Sequence, residues 1–311
     1  MNIDINDKVS SASHKNSIIF LTKVIELLNN SSDNSKELPY ENTVIATVFI
    51  QMSLELAIKF AIIRNNGIRS ILNDKKQTLL DDESLYNLFI ENKLKVKEFD
   101  NLKNYIKTNE NIFYLKKNSI LLIEKFQLFR NKLVHLHYNF TNRELDYLKS
   151  ELIEIIVHII IVLLYTKDFT SPSEFYINIL TKDTFKKLIS NRLYINEMYN
   201  LASANNSKVF NCIFCNNKTL GMSEFICYSC LTEYDNKNIY GFTDCVFCKT
   251  QKSVIYDRLN ISNNDHITKG LCLKCDIESL VYECSICETN YNLEFNENGE
   301  KQCKKGFCKN D

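Results

Sequence analysis

Residues 118–138, NSILLIEKFQLFRNKLVHLHY, have the apolar spacing of one long helix. Apolar side chains recur there at intervals of three and four residues, which places them along one side of a helix. A stripe of this kind has to be buried against other elements, so the segment predicts a fold of packed helices. The stripe consists of Leu122, Phe126, Phe129, Leu133 and Leu136.

Helical periodicity continues on both sides of this segment. Thr141 followed by Glu144 has the pattern of a capping box, which predicts that another helix begins there. Glycine and proline are scarce, at 6 and 2 residues, which disfavours a fold with many tight turns. We therefore expect a mainly α protein. The predicted long helices cover about 17–28, 41–65, 118–138, 141–165 and 172–204.

The chain divides by composition into three parts. Residues 1–16 are polar and predict a flexible arm, and residues 17–204 predict one all-helical domain. A short run of small and polar residues, 202–207, marks the boundary. Residues 208–311 lose the helical period and contain all twelve cysteines.

The cysteine-rich tail has an internal repeat. Five cysteine pairs have the spacing C-x2-C, the last has C-x4-C, and similar text (NCIFC, DCVFC, ECSIC) opens three of them. This predicts three units in series, at 208–235, 241–277 and 280–311, each with two pairs. The pairs are Cys212/Cys215, Cys227/Cys230, Cys245/Cys248, Cys272/Cys275, Cys284/Cys287 and Cys303/Cys308.

Paired cysteines of this kind predict structural zinc sites. A structural zinc ion takes four ligands in a tetrahedron, and one C-x-x-C turn supplies two of them. Two pairs per unit therefore give about three Zn²⁺ ions for the twelve cysteines, and each unit resembles a zinc ribbon. All four ligands are thiolates, so no position is open for catalysis. We expect pairing in sequence order, although an interleaved pairing of the first four pairs is an alternative.

Overall charge and hydropathy exclude some functions. The 38 basic and 38 acidic residues balance, so any surface for nucleic acid has to be local. From Lys208 onward 12 basic residues face 14 acidic ones, which favours a specific target or protein partner over general RNA binding. The polar first 15 residues predict no signal peptide, and the apolar run 152–165 is too short to span a bilayer. We expect a cytoplasmic protein with no membrane association.

The segment Phe129–Tyr138 contains the motif on which the functional hypothesis depends. Arg130-Asn131 is followed by His135 in the spacing R-x4-H, and His137 gives R-x6-H. Together with the helical setting and the apolar segment QMSLELAIKFAI, 51–62, this resembles the HEPN superfamily, over roughly residues 10–195. The resemblance implies a bundle of four or five helices and, in ribonuclease members, an active site formed between two copies.

The same resemblance implies roles for the motif residues. A histidine near neutral pKa can take or give the proton of an RNA 2′-hydroxyl, and an arginine can pair with the phosphate. His135 would be the acid or base, Arg130 the phosphate clamp and Asn131 an orienting residue; His137 is the rival base. At about 100° per residue, His135 lies roughly 140° around the helix from Arg130, on a second line with Leu121 and Leu128 that needs a partner surface.

Two function hypotheses follow from these observations. The first is a metal-independent HEPN-type endoribonuclease, homodimeric through its helical domain, with zinc ribbons that recognise a target or partner. Such enzymes are frequent in microbial toxin and antiviral defence systems, so the resemblance implies an RNA-degrading effector with 2′,3′-cyclic phosphate products. The alternative is a non-catalytic interaction protein, in which the helical bundle dimerises and the ribbons bind protein or nucleic acid.

Overall fold

The computed structural model describes most of the chain. The described residues are 4–29, 40–109, 112–116, 118–135, 141–165, 172–206, 209–212, 214–221, 224–234, 240–261, 267–284 and 289–292. By its internal contacts the chain divides into two compact units, Met1–Leu193 and Tyr194–Asp311.

The first unit is helical throughout its described residues. A 3₁₀ turn, Ile68–Ile71, follows the second helix, and a π-helical turn, Ile156–Ile160, joins the seventh to the eighth. The helices are α1 (Ile5–Asn29), α2 (Tyr40–Asn66), α3 (Lys75–Thr78), α4 (Asp82–Ile90), α5 (Phe99–Thr108), α6 (Ser119–His135), α7 (Asn142–Ile155), α8 (Ile161–Leu164) and α9 (Pro172–Ser190).

α1 and α2 form the central helix pair of this unit. Small residues allow the two backbones to approach: Ser17 and Ser53 are fully buried, and each hydroxyl donates to the other residue's carbonyl, at 2.8 and 2.9 Å. The prediction of a flexible arm over residues 1–16 is wrong for residues 5–16, because α1 begins at Ile5 and its first turns bury Ile5 and Val9. The arm's polar residues occupy the outer face of an amphipathic helix.

α2 agrees with its predicted bounds and is the apolar core helix. Among the described residues it alone is long and apolar enough to cross a membrane. However, 56% of its most apolar stretch is buried, as expected of a helix packed inside a protein.

α6 buries a different stripe from the predicted one. Ile123, Phe126 and Leu133 are buried, whereas Leu122 and Phe129 are only half-buried. The buried line is rotated by part of a turn, because Ile120 and Ile123 also contribute to the core. Arg130 consequently lies between Phe126 and Leu133 on the inner side of the helix.

The capping box at Thr141 is present as predicted. The Thr141 hydroxyl accepts from the Glu144 backbone N–H at 3.3 Å, and the Glu144 carboxylate accepts from the Thr141 N–H at 3.0 Å. Within the predicted helix 172–204 the backbone breaks twice. Thr181 has positive φ inside α9, and a new helix, α10 (Arg192–Asn205), begins after Asn191.

The second unit contains α10, two antiparallel sheets and the short helix α11 (Arg258–Ile261). The first sheet has the strand order β1-β2-β3 and the second β4-β5-β6-β7-β8. The strands are β1 (Val209–Asn211), β2 (Lys218–Gly221), β3 (Ile226–Cys227), β4 (Tyr240–Thr243), β5 (Val254–Asp257), β6 (Ile267–Cys272), β7 (Glu278–Glu283) and β8 (Asn290–Asn292).

The predicted boundaries of the tail need two corrections. The compact units divide before α10 and not after it: the Tyr194 hydroxyl donates to the Ser229 carbonyl at 2.9 Å. The second and third predicted units are also not separate, because β7 pairs with β6 along five residues. Moreover, Ile255 and Leu271 of the large sheet share a core with Phe210 and Leu220 of the small one. The described part of the tail is therefore one packed body.

Candidate metal centres and the Arg130 helix

The first four cysteine pairs adopt one common turn. In each turn the first cysteine's N–H donates to the carbonyl five residues later, at 2.9–3.0 Å. The residue directly after the second cysteine has a φ of 56–60° in all four turns, the left-handed conformation that reverses the chain. These turns direct both thiols of a pair to one point. The four left-handed residues are Asn216, Leu231, Lys249 and Asp276.

The turns meet in two groups of four cysteines, which follow the predicted sequential pairing and not the interleaved one. In each group all four Sγ atoms lie within 4.8 Å of one another. The closest Sγ–Sγ distances are 3.6 and 3.7 Å in the first group and 3.6 and 3.8 Å in the second. Zinc–sulfur bonds of about 2.3 Å imply tetrahedron edges of about 3.8 Å, so both groups fit a metal ion. The groups are Cys212/Cys215/Cys227/Cys230 and Cys245/Cys248/Cys272/Cys275.

Hydroxyl groups surround both tetrads. The Tyr234 hydroxyl lies 3.0 Å from Cys212 Sγ, and the Thr219 hydroxyl lies 3.3 Å from Cys227 Sγ. In the second tetrad the Thr250 hydroxyl lies 3.3 Å from Cys248 Sγ, and the Ser253 hydroxyl lies 3.4 Å from Cys272 Sγ. Polar groups this close to the sulfur atoms orient metal ligands. Hydrogen bonding from Thr250 lowers the pKa of the Cys248 thiol to about 6.

Sequence reasoning missed these hydroxyl groups, although a signal for some of them was present. A threonine stands two residues after the second cysteine of three pairs, at Thr232, Thr250 and Thr289. The Thr232 hydroxyl lies 3.1 Å from Cys230 Sγ, as Thr250 lies beside Cys248. The pattern C-x-x-C-x-T therefore marks a cysteine turn together with its hydrogen-bonding group. Tyr234 had no such signal.

The third predicted site lies mostly outside the described residues. Cys284 is buried at the end of β7, and its N–H donates to the Thr289 carbonyl at 3.1 Å, the same five-residue spacing as in the other turns. Cys287, Cys303 and Cys308 are not among the described residues. The described part of the fifth pair thus has the backbone bond of a cysteine turn.

Arg130 and Asn131 are neighbours in the last two turns of α6. The Arg130 guanidinium donates from Nη1 to the Asn131 side-chain oxygen at 3.0 Å. Arg130 Nε is buried without a hydrogen-bond partner, which costs free energy until an acceptor arrives. Asn131 itself is exposed, so the guanidinium extends from the inner side of α6 toward solvent.

The two histidines of the motif are placed only in part. His135 is the last residue of α6, but its side chain lies outside the described part of the chain, as does all of His137. The outward line of α6 is clear, however: Leu121 and Leu128, spaced by seven residues like His135 after them, are 53% and 66% exposed. The backbone of His135 is the next position of this seven-residue spacing, whereas Arg130 lies on the inner side of the helix.

A titratable group that the sequence did not reveal lies on α7. Burial raises the pKa of the Glu151 carboxyl to about 7, the nearby Glu154 raises it further, and Lys125 of α6 opposes both. One Glu151 oxygen is buried without a hydrogen-bond partner. A carboxyl group that is half protonated near neutral pH therefore lies beside the motif helix.

Comparison of the chain with protein-family models, with curated proteins and with solved structures finds no match. The resemblance to the HEPN superfamily accordingly depends on the residues of the motif and on their helical setting.

Proposed function

We propose that this protein is a metal-independent, HEPN-type endoribonuclease whose tail is held together by zinc. The observation that supports cleavage best is Arg130: its guanidinium is anchored by Asn131 and has a buried nitrogen without an acceptor. An arginine in this state is suited to a phosphate, which accepts two parallel hydrogen bonds from a guanidinium. The adjacent helix end carries the histidine of the motif.

The chemistry needs no metal ion, because the nucleophile belongs to the substrate. His135 accepts the proton of the RNA 2′-hydroxyl, and the 2′-oxygen forms a bond to phosphorus while the bond from phosphorus to the 5′-oxygen breaks. The leaving 5′-oxygen takes up a proton from water, His135 returns its own proton to solvent, and the products are a 2′,3′-cyclic phosphate and a 5′-hydroxyl. Arg130 stabilises the charge that develops on the phosphate oxygens.

Helix geometry favours an active site shared by two chains. Arg130 and His135 start about 140° apart on α6, so one helix directs them to different sides. The exposed Leu121 and Leu128 lie on the His135 side and provide an apolar surface for a second copy. In a two-fold dimer each Arg130 then binds the phosphate at which the other chain's histidine transfers the proton, as the resemblance implies.

The proposal for the tail is that it binds three structural zinc ions. Four thiolates at tetrahedral spacing, with hydroxyl groups around them, favour zinc in a closed site. The third ion is proposed for Cys284, Cys287, Cys303 and Cys308, because Cys284 has the same backbone bond as the cysteines of the two complete groups. The ions stabilise the fold of the tail, which recognises a target or partner, and they take no part in cleavage.

The proposed activity has a direct test. Purified protein is incubated with mixed RNA in the presence of EDTA, and the products are examined for 2′,3′-cyclic ends. We expect Arg130→Ala and His135→Ala each to reduce cleavage at least about a hundredfold, since acid–base groups typically contribute that much. His137→Ala should keep activity if His135 is the base.

Arg192→Ala is the matched control, because it removes an exposed arginine elsewhere on the surface. It should cleave like the unaltered chain. Equal cleavage by all variants, or none by the unaltered protein, would favour the alternative of a non-catalytic interaction protein.

A further inference from the structure

The second unit contains a polar cavity that none of the assignments above uses. It has a volume of about 480 Å³, in the range of ligand sites, and α10, the small sheet and the fourth cysteine turn enclose it. Its polar lining comes from Tyr199 and Ser203 of α10, Asn206, Lys218 of β2, and Lys274 and Asp276 of the turn.

Only some of the charged groups in this cavity are paired with one another. Lys218 lies 3.5 Å from one oxygen of the Asp276 carboxylate, whereas the other oxygen is buried without a hydrogen-bond partner. Lys274 is exposed and forms no ion pair with any residue in the described part of the chain. The cavity therefore combines a partly exposed carboxylate, held by one long ion pair from Lys218, with a cation that has no counter-charge.

An aromatic ring completes the lining. The Tyr199 side chain is 42% exposed although it borders the cavity, and it projects from a helix whose other side is anchored by the buried Tyr194. An exposed ring next to lysines is the combination with which proteins stack a nucleic-acid base and hold its phosphate.

We propose that this cavity binds a nucleotide. The base stacks on Tyr199, an amino group of the base donates to Asp276, and Lys274 pairs with the phosphate. Adenine, cytosine and guanine carry such an amino group. Uracil has only its ring N3–H, which lies between two carbonyl oxygens that repel a carboxylate, so the carboxylate disfavours uracil. The ligand chemistry is the same whether the nucleotide is free or is one unstacked residue of an RNA strand.

The metal centre positions the selective residue. Asp276 follows Cys275 directly, has a φ of 58°, and donates its N–H to the Cys272 carbonyl at 2.9 Å. The turn that holds two metal ligands thus also holds the carboxylate. Asparagine adopts the left-handed conformation readily, so Asp276→Asn changes the hydrogen-bonding capacity without straining the turn.

The test uses the full chain with Arg130→Ala, so that binding is measured without cleavage and does not depend on it. Fluorescein-labelled A₆, C₆ and U₆ RNA are titrated by fluorescence anisotropy, and AMP and UMP by calorimetry. We expect A₆ and C₆ to bind more tightly than U₆, and Tyr199→Ala to weaken A₆ binding roughly five- to a hundredfold.

Asp276→Asn is expected to abolish the preference for A₆ over U₆ with unchanged zinc content. Lys274→Ala weakens all ligands, while Lys269→Ala, which removes an exposed lysine outside the cavity, changes nothing. Hexamers that bind more tightly than AMP indicate an RNA site, and equal affinities indicate a free nucleotide; both support the proposal. Absence of binding, equal effects of the two lysine variants, or an unchanged base preference in Asp276→Asn overturns it.

Discussion

Glu151 shows how a single residue acquires a property that its sequence context does not indicate. Its neighbours along α7 include Glu154, and burial against α6 removes part of its hydration. Both effects favour the neutral carboxyl, and Lys125 compensates only partly. Arg130 also acquires its property from tertiary packing. Its Nε is buried because of the way α6 is oriented against the core, and not because of its neighbours in sequence.

Glu151 should make the helical unit less stable as the pH rises. Because its folded pKa is about 7 and its ordinary value is 4.5, the folded chain holds this proton more tightly than the unfolded chain, so stability falls as the pH rises from about 4.5 to 7 and stays reduced above pH 7. The shift is worth about 3 kcal/mol at full weight, and roughly 1–2 kcal/mol for a half-buried group. Glu151→Gln should therefore raise the melting temperature at pH 8, by an amount that disappears below pH 4.5.

Thermal denaturation followed by circular dichroism between pH 4 and 8 measures this effect. Glu83→Gln, at an exposed glutamate of α4, is the control and should show no gain at pH 8. A Glu151→Gln gain that is the same at all pH values would mean that packing, and not ionisation, is responsible.

At the level of elements, α6 is a helix whose two sides differ in burial. Its inner side packs into the first unit through Ile123, Phe126 and Leu133. Its outer side carries the exposed Leu121 and Leu128, and Tyr147 of the next helix, α7, is 55% exposed. Aromatic and aliphatic side chains grouped on one surface are typical of an interface between protein chains.

Leu128→Glu is expected to separate the proposed dimer. A carboxylate at the centre of a two-fold apolar surface meets its own copy and loses hydration, which opposes association. Size-exclusion chromatography with light scattering should give twice the chain mass for the unaltered protein and the single mass for this variant, and RNA cleavage should fall with the dimer.

Leu79→Glu is a matched control, since Leu79 is a leucine that is 87% exposed on another part of the helical unit. It should remain dimeric. A monomeric unaltered chain that still cleaves RNA would show that the active site does not need two copies.

The whole molecule consists of two units with different sources of stability. The helical unit has an extensive apolar core, whereas the tail has short strands and small cores that include the cysteines themselves. Small domains of this kind usually need metal ions to fold. The tail is nevertheless one body, because the small and the large sheet share a core.

Metal analysis of the purified chain should give three zinc ions, and Cys248→Ser or Cys287→Ser should each remove one. Strong chelation should abolish the protection of residues 209–292 from protease, while the far-ultraviolet circular dichroism of the helical unit remains. Two ions in the unaltered chain would contradict the third site, and loss of the helical signal on chelation would contradict independent stability of the first unit.

The sequence alone determined the helical class of the first part, the bounds of α2, the capping box at Thr141 and the cysteine turns, whereas the structure chose the sequential pairing of these turns over the interleaved one. These follow from local rules, since helical periodicity, caps and C-x-x-C turns depend on residues a few positions apart. Tertiary structure alone decided that residues 5–16 are helical and partly buried, that α10 belongs with the tail, and that the tail is one body. It also decided the rotation of α6, the hydroxyl groups around the thiolates and the pKa of Glu151. These depend on which distant residues pack together, and no local pattern contains that information.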